Sequence, residues 1–321
     1  MTGKHLRIVV IIVLLTVSLS VQLADTGQAA EGPFTVAMLT WRGDTQAESG
    51  FVEGLNESGY TIRFVKYPVN LDFVRLQAAI SSLQREPVDL IYVFGTTASK
   101  HVLAEVKNTP VVFNIVTRPI EAGIIGGWES SGNNATGVSS MVPIRHQLET
   151  LRKILHFSRL GIVYNPLEQN SIIQRDITAE LAAEMHFSLR EFKLSAQADI
   201  TQLLRNVGAR VDAVFLPSDS MVKTLGREIM TILNAQHIPT LSAIEDIVEK
   251  DAALIGLVPD YYQLGRLAAR KAQRILEGER PSAIPSSTLD HFHIIVNMKT
   301  AKQIGINIPT SILVMADQTI R

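Results

Sequence analysis

Beyond the first thirty residues, short apolar runs alternate with longer amphipathic stretches. Strands are predicted over 34–39, 61–65, 88–94, 111–115, 160–164, 188–194, 211–216, 238–241 and 254–258. Most are unbroken runs of Val, Ile, Leu and Phe. Such runs suit parallel strands buried on both faces, whereas a half-exposed antiparallel strand alternates. Helical patterns lie between them. In 261–276, Leu264, Leu267, Ala268, Ala272 and Ile275 share one helical face. Arg270, Lys271 and Arg274 then fall to a solvated face. Strand and helix in alternation predict an α/β fold with parallel sheets, and 321 residues suggest two domains.

An internal echo supports two similar lobes. Val88-Asp89-Leu90-Ile91-Tyr92-Val93-Phe94 and Val211-Asp212-Ala213-Val214-Phe215-Leu216 stand 123 residues apart, each before a turn and a helix. Each helix precedes a Pro-containing strand, Thr109-Pro110-Val111-Val112 and Ile238-Pro239-Thr240-Leu241. A similar order at a similar offset suggests two copies of one α/β design. The segment 126–136 (GGWESSGNNAT) reads as a surface loop before the crossing into the second lobe.

The first thirty residues differ. Lys4, His5 and Arg7 precede an apolar run over 8–23 (IVVIIVLLTVSLSVQL), and small and polar residues end at Ala29-Ala30. That order is the order of a secretory signal. The run is about sixteen residues, shorter than the roughly 20 that cross a bilayer. A cleaved signal over 1–30 and a periplasmic location are expected, with no lipid-anchoring cysteine because the chain has no Cys. The same lack removes disulfides, thiolate metal sites and cysteine nucleophiles. Thirty Lys and Arg against 31 Asp and Glu give a net charge of -1, against a nucleic-acid partner.

Ligands of open α/β sheets sit beyond the carboxyl ends of the strands. Those ends offer Trp41, Thr96, Thr97, Thr117 and Arg118 in the first half, and Asn165, Asn170, Ser171, Asp219 and Asp260 in the second. Thr96 or Thr97 capping the next helix would leave amides and a positive helix end for a carboxylate. Asp219 can accept from an ammonium group, although Thr and Asp also cap helices with no ligand involved. Trp41 can stack on a ligand ring or cover a core edge. Enzyme motifs are missing: no G-x-S-x-G, G-x-x-x-x-G-K-[ST], H-E-x-x-H or G-x-G-x-x-G occurs. Ser220-Met221-Val222-Lys223 spells S-x-x-K without the companion K-T-G. His291 and His293 have no evident third ligand for a metal, and no cofactor is indicated.

Several stretches are similar to signatures of the ABC-transporter substrate-binding proteins of the tryptophan/tyrosine-binding group. They are PVVFNIVTRPIEAG (110–123) with NATGVS (134–139), GIVYNPLEQNS (161–171), LPSDS (216–220), IGLVPDYYQLGR (255–266) and AQRILEGERPSAIP (272–285) with IVNMKTA (295–301). The resemblance runs in order along nearly all of 33–321. It implies a periplasmic binding protein type 1 fold, in which two Rossmann-like lobes enclose a small molecule. Lobe 1 is expected over 33–139 plus about 259–282, and lobe 2 over 140–258 plus part of 286–321. Hinges are expected near 139–142 and 256–260. Thr96 and Thr97 match the family's lobe-one loop, and Asn165, Asn170, Ser171 and Asp219 its lobe-two loops. Two departures stand out. Arg118-Pro119 replaces a usual Asp-Pro, so an Arg118 in the cleft would bind an anionic group. Val258-Pro259-Asp260 replaces a usual Tyr-Gly before the Asp, which would stiffen a hinge. The implied role is capture of a small molecule, an amino acid of aromatic type, and its delivery by a monomeric protein to an ABC permease. A sensor module reporting to a membrane kinase, and a hydrolase using Ser220 and Lys223, are the alternatives.

Overall fold

A computed structural model describes residues 33–195 and 199–321; the expected export signal lies outside them. The first lobe is built from β1 (Phe34–Thr40), α1 (Gln46–Asn56), β2 (Ile62–Pro68), α2 (Phe73–Arg85), β3 (Leu90–Phe94), α3 (Thr96–Glu105), β4 (Val111–Val116) and β5 (Ala135–Ser139). The second takes α4 (Ile144–Arg152), β6 (Arg159–Tyr164), α5 (Gln169–Glu184), β7 (Ser188–Lys193), α6 (Ile200–Leu203), β8 (Ala213–Leu216), α7 (Ser220–Thr224), α8 (Gly226–Ala235), β9 (Thr240–Ser242), α9 (Glu245–Glu249) and β10 (Ile255–Val258). The chain then returns as α10 (Tyr261–Leu276) to pack on the first lobe. It ends with β11 (His293–Asn297), α11 (Met298–Ile304), α12 (Thr310–Met315) and β12 (Gln318–Ile320) on the second.

The two sheets run β2-β1-β3-β4-β5 and β12-β11-β10-β9-β8-β6-β7. The order β2-β1-β3-β4-β5 is repeated as β7-β6-β8-β9-β10, which accounts for the sequence echo. Its residues hold equivalent places. The amide of Asp89 donates to the Thr35 carbonyl beside β1, and that of Asp212 to the Arg159 carbonyl beside β6. Pro110 and Pro239 both offer carbonyls to the adjacent strand, at Ile91 and Val214. The expectation of parallel strands needs one correction. β11 pairs antiparallel with β10, Ile255 opposite Val296, because the chain returns from the other lobe beside β10. β5, β11 and β12 were not among the predicted strands; β5 (ATGVS) is short and half polar.

In the second lobe the strands bury both faces. Leu160 and Ile162 of β6 with Phe215 of β8 enter one core, while Val163, Val214 and Leu216 enter the other. Period-2 alternation between two apolar cores produces the continuous apolar run seen in the sequence. In the first lobe, α1 and α10 cross in close contact beside a core that includes Phe51, Leu55, Tyr92 and Leu264. Lys271 of α10 corrects the sequence reading. It is buried, its Nζ donates to the Pro285 carbonyl at 2.5 Å, and burial lowers its pKa to about 8.

The chain crosses between the lobes three times, at 139–143, 258–261 and 285–292, one more than the two expected hinges. The third crossing lies beside the first, where Ser139 N–H donates to the Ser287 carbonyl at 2.8 Å. No helix among the described residues is long and apolar enough to cross a membrane.

Asp212 gives a pH prediction. Hydrogen bonds from the Arg159 guanidinium (2.6 Å) and from the amides of Ser158 and Arg159 (2.9 and 2.8 Å) hold its carboxyl down at about 2. A carboxyl depressed on folding adds stability above its unfolded value of about 4. That increment is lost as the pH falls from there through about 2. Urea unfolding followed from pH 5 to pH 2 should show this loss, and Asp212→Asn should remove that part of the slope.

Candidate ligand cleft

The carboxyl ends of β1, β3 and β4 face those of β6 and β8 across the space between the lobes. They enclose a cavity of about 20 Å³. Trp41 and Arg42 line it from the end of β1, Phe94 to Thr97 from the end of β3, and Ile115 and Thr117 from β4. The second lobe contributes Asn170, Ser218, Asp219 and Ser220. α3 and α5 meet across the cleft, where Lys100 Nζ donates to Gln169 Oε1 at 2.7 Å. The volume is near that of a single water site. The structure thus shows the cleft with its walls together.

The first-lobe wall is rich in donors. Helix α3 begins at Thr96, and its N-cap is Gly95, with φ 89° and no side chain to cap it. Thr96 and Thr97 are therefore the first helical residues and not the cap that the sequence suggested. The amides of the first turn have no intrahelical acceptor, and the helix end carries a partial positive charge. Gly95 is needed here because this left-handed backbone disfavours a Cβ. Next to it, β-branched Ile115 sits at φ 55°, a conformation that costs of order 1–3 kcal/mol. Its amide is held by Asn114 Oδ1 at 2.9 Å. Asn114 Nδ2 donates to the Tyr92 hydroxyl (3.2 Å), which donates to Glu48 Oε1 (2.6 Å). Burial pushes the Glu48 carboxyl up and the Tyr92 hydroxyl well up. A buried polar network thus fixes the strained end of β4.

The second-lobe wall is acidic. Asp219, 1% exposed, caps α7: Oδ1 accepts from the amides of Met221 and Val222, both at 2.8 Å. Oδ2 accepts from the Asn165 amide at 2.7 Å and the Ser171 hydroxyl at 2.5 Å. Four donors fill the acceptor capacity of a carboxylate. Asp219 therefore offers the cavity its charge but no spare lone pair, a correction to its expected role as an open acceptor. Beside it lies Glu168, 6% exposed, whose Oε2 accepts from the Ser220 amide at 3.0 Å. Burial first, and then the charge of Asp219, raise the Glu168 carboxyl; burial also raises Asp219. The indole N–H of Trp41, 4% exposed, points toward Glu168 without a hydrogen bond.

The other expected site residues divide. Asn170 lines the cavity, and its Nδ2 donates to the Ser218 carbonyl at 2.8 Å. Asn165 and Ser171 are buried behind the wall and hold Asp219. Asp260 caps α10 through the Gln263 amide at 2.9 Å and does not line the cavity. Arg118 turns away to pair with Glu121 at 3.0 Å, so the base expected in the cleft is not there. Lys223 Nζ pairs with Asp246 at 2.7 Å, which engages the ammonium an S-x-x-K nucleophile needs. His291 and His293 have rings 5.5 Å apart, and His291 contacts Asp317 at 3.3 Å. No group of three or more His, Asp or Glu among the described residues is placed for a metal ion.

Sequence reasoning missed Arg42 and Glu168. Arg42 follows Trp41 at the end of β1 and Glu168 lies within the stretch 161–171, but Tyr261 locates the first and Ser220 the second. Arg42 opens onto a second compartment of about 360 Å³, between Asp44, Thr45 and Ser49 of the first lobe and Ile244, Glu245 and Lys250 of the second.

Comparison with known proteins bears on the family and the fold. A tyrosine-binding protein of Clostridioides difficile is 28% identical over 263 residues, 80% of this chain and 76% of that protein. A conserved domain protein from Vibrio cholerae superposes with a TM-score of 0.85 at 25% identity, over 89% of this chain and 99% of its own. An ABC domain in complex with L-Trp from Streptococcus pneumonia also reaches 0.85, at 23% identity, over 90% and 100% of the two chains. The architecture, two parallel-dominated sheets in an α/β molecule, is that of the type 1 periplasmic binding proteins. The family model for ABC transporter substrate binding proteins matches residues 36–320, both lobes and every wall of the cleft. The chain therefore belongs to the ABC transporter substrate-binding protein family.

Proposed function

We propose that this protein is an exported solute-binding protein that holds an amino acid between its lobes and presents the closed form to an ABC permease. One observation carries the reading: a single cavity has the free amides of α3 on one wall and the buried Asp219–Glu168 pair behind the other. A carboxylate suits the first and an ammonium the second. The walls, together in this structure, must part to admit a ligand larger than water, and a zwitterion touches both only when the lobes close around it, which is the differential affinity that drives closure. The rings of Trp41 and Phe94 favour an aromatic body, in line with the tyrosine-binding relative and the structure containing L-Trp. The protein acts as a monomer and performs no chemistry on its ligand.

A thermal-shift screen of the amino acids, small carboxylates, purines, sugars and short peptides tests this. A ligand at 100 times its Kd stabilises by roughly 2.7 kcal/mol. An amino acid should give the largest shift. Glu168→Gln should reduce it by weakening the field at the ammonium. The shift should also shrink on acidification, because protonation of carboxyls already raised by burial removes the charge the ammonium meets. A largest shift from a sugar or purine would overturn the reading.

A further inference from the structure

Arg42 is shared by the two compartments of the cleft. Its guanidinium lies over two aromatic rings, 5.3 Å from the Phe94 centroid and 6.0 Å from that of Tyr261. Its Nη2 donates to the Tyr261 hydroxyl at 3.0 Å. Among the described residues it forms no ion pair. The other bases of the outer compartment are matched: Lys223 and Lys250 both hold Asp246, at 2.7 and 2.6 Å. Asp44 is held by Lys66. Glu245 is half-buried, and burial together with Glu249, Asp260 and Asp246 raises its pKa to about 7, so its charge is partial at neutral pH.

A guanidinium has five N–H donors in a rigid fork. Here two rings and one hydroxyl fix the fork and use a single donor. Arg42 also lines a space of about 360 Å³, far more than the inner cavity holds. A planar carboxylate matches such a fork by two parallel hydrogen bonds.

We propose that the outer compartment is a second subsite of the cleft, with Arg42 as its specificity-determining residue, and that the ligand carries a carboxylate at the end remote from its amino-acid head. This rests on the solute-binding reading above. The head lies between α3 and Asp219, the body against Trp41 and Phe94, and the distal carboxylate on Arg42.

The test is calorimetric titration of the purified protein, freed of co-purified solute by unfolding and refolding. It uses two matched pairs, 4-carboxyphenylalanine against phenylalanine and glutamate against glutamine. In at least one pair the carboxylate should bind about tenfold tighter or better. Arg42→Gln should weaken the carboxylate about tenfold more than the neutral member and so erase that preference, and Arg42→Lys should restore only part of it. Melting of each variant verifies its fold. Equal binding within both pairs overturns the subsite while the solute-binding reading stands. Equal weakening of both members by Arg42→Gln does the same, since Arg42 would then serve closure through Tyr261. Heat from none of these compounds, nor from any other amino acid, removes both readings.

Discussion

Replacing Asp219 with alanine is expected to abolish ligand capture and to lower the melting temperature by roughly 4 °C or more. The carboxylate takes three backbone amides and one hydroxyl, at 2.5 to 2.8 Å, from the turn after β6 and the first turns of α5 and α7. The Asn165 and Val222 amides and the Ser171 hydroxyl are buried, and the Met221 amide is partly buried. Each buried donor left without an acceptor costs about 1–3 kcal/mol, and relaxation lets some regain a partner. A net loss of about 3 kcal/mol or more follows. At this chain length each kcal/mol moves the midpoint by roughly 1.5 °C. Binding fails for a second reason: the amide of Asn165 and the start of α7 lose their common anchor, so the acidic wall loses its shape as well as its charge. Asp219→Asn keeps one acceptor oxygen but turns an NH2 toward donors, and it should fall between the two. Scanning calorimetry of the three proteins with and without ligand separates the stability effect from the binding effect. An alanine variant that melts with the native protein would mean that these bonds contribute little.

The second large effect is expected at Gly265. It lies where α10 crosses α1, and a Cβ there would overlap the Ala47 carbonyl oxygen and stand 2.8 Å from the Phe51 nitrogen. Gly50 mirrors it, since its Cβ would overlap the Tyr262 carbonyl. A Cβ at Gly54 would come within 2.6 Å of Ala269 Cβ. Both obstructing partners at Gly265 are backbone atoms of a helix, which cannot swing aside as a side chain can. Gly265→Val must force the helices apart and open the core at Phe51, Leu55 and Leu264. Overpacking of this kind costs about 3 kcal/mol or more. Gly265→Ala provides the sharper sign test. Helix propensity alone favours Ala by about 1 kcal/mol, so a less stable alanine variant demonstrates the backbone contact, and a more stable one refutes it. The displacement should also reach the cleft, because Tyr261, which holds Arg42, begins the same helix. Denaturant unfolding and soluble yield of both variants measure the effect.

The parts of the fold legible in the sequence are those set by local pattern. Core strands such as β3 and β8 sit between two apolar layers, so their runs are unbroken. The duplicated Val-Asp segments repeat because each Asp holds the start of the neighbouring strand. Features that depend on distant partners were not legible. β11 runs antiparallel only because the chain comes back from the other lobe. Lys271 looks like a surface base until its ammonium is seen on the Pro285 carbonyl. At the cleft, the pattern places Thr96 and Thr97 beyond β3 as candidate caps, whereas the cap is Gly95. Arg118 stands at a strand end where the family has an Asp, yet it pairs with Glu121. Arg42 is aimed by Tyr261, 219 residues away, and no local pattern announces that contact.

The central claim is that the two walls of the inner cavity bind a zwitterion together. Isothermal titration of the purified protein with the amino acid that gives the largest thermal shift tests it most directly. A saturable heat at one ligand per chain is expected, reduced by Trp41→Ala and by Glu168→Gln. Little heat is expected from the same compound with its ammonium acetylated or its carboxylate amidated. Unchanged binding of both blocked compounds, or native affinity in both variants, would place the ligand elsewhere and contradict it.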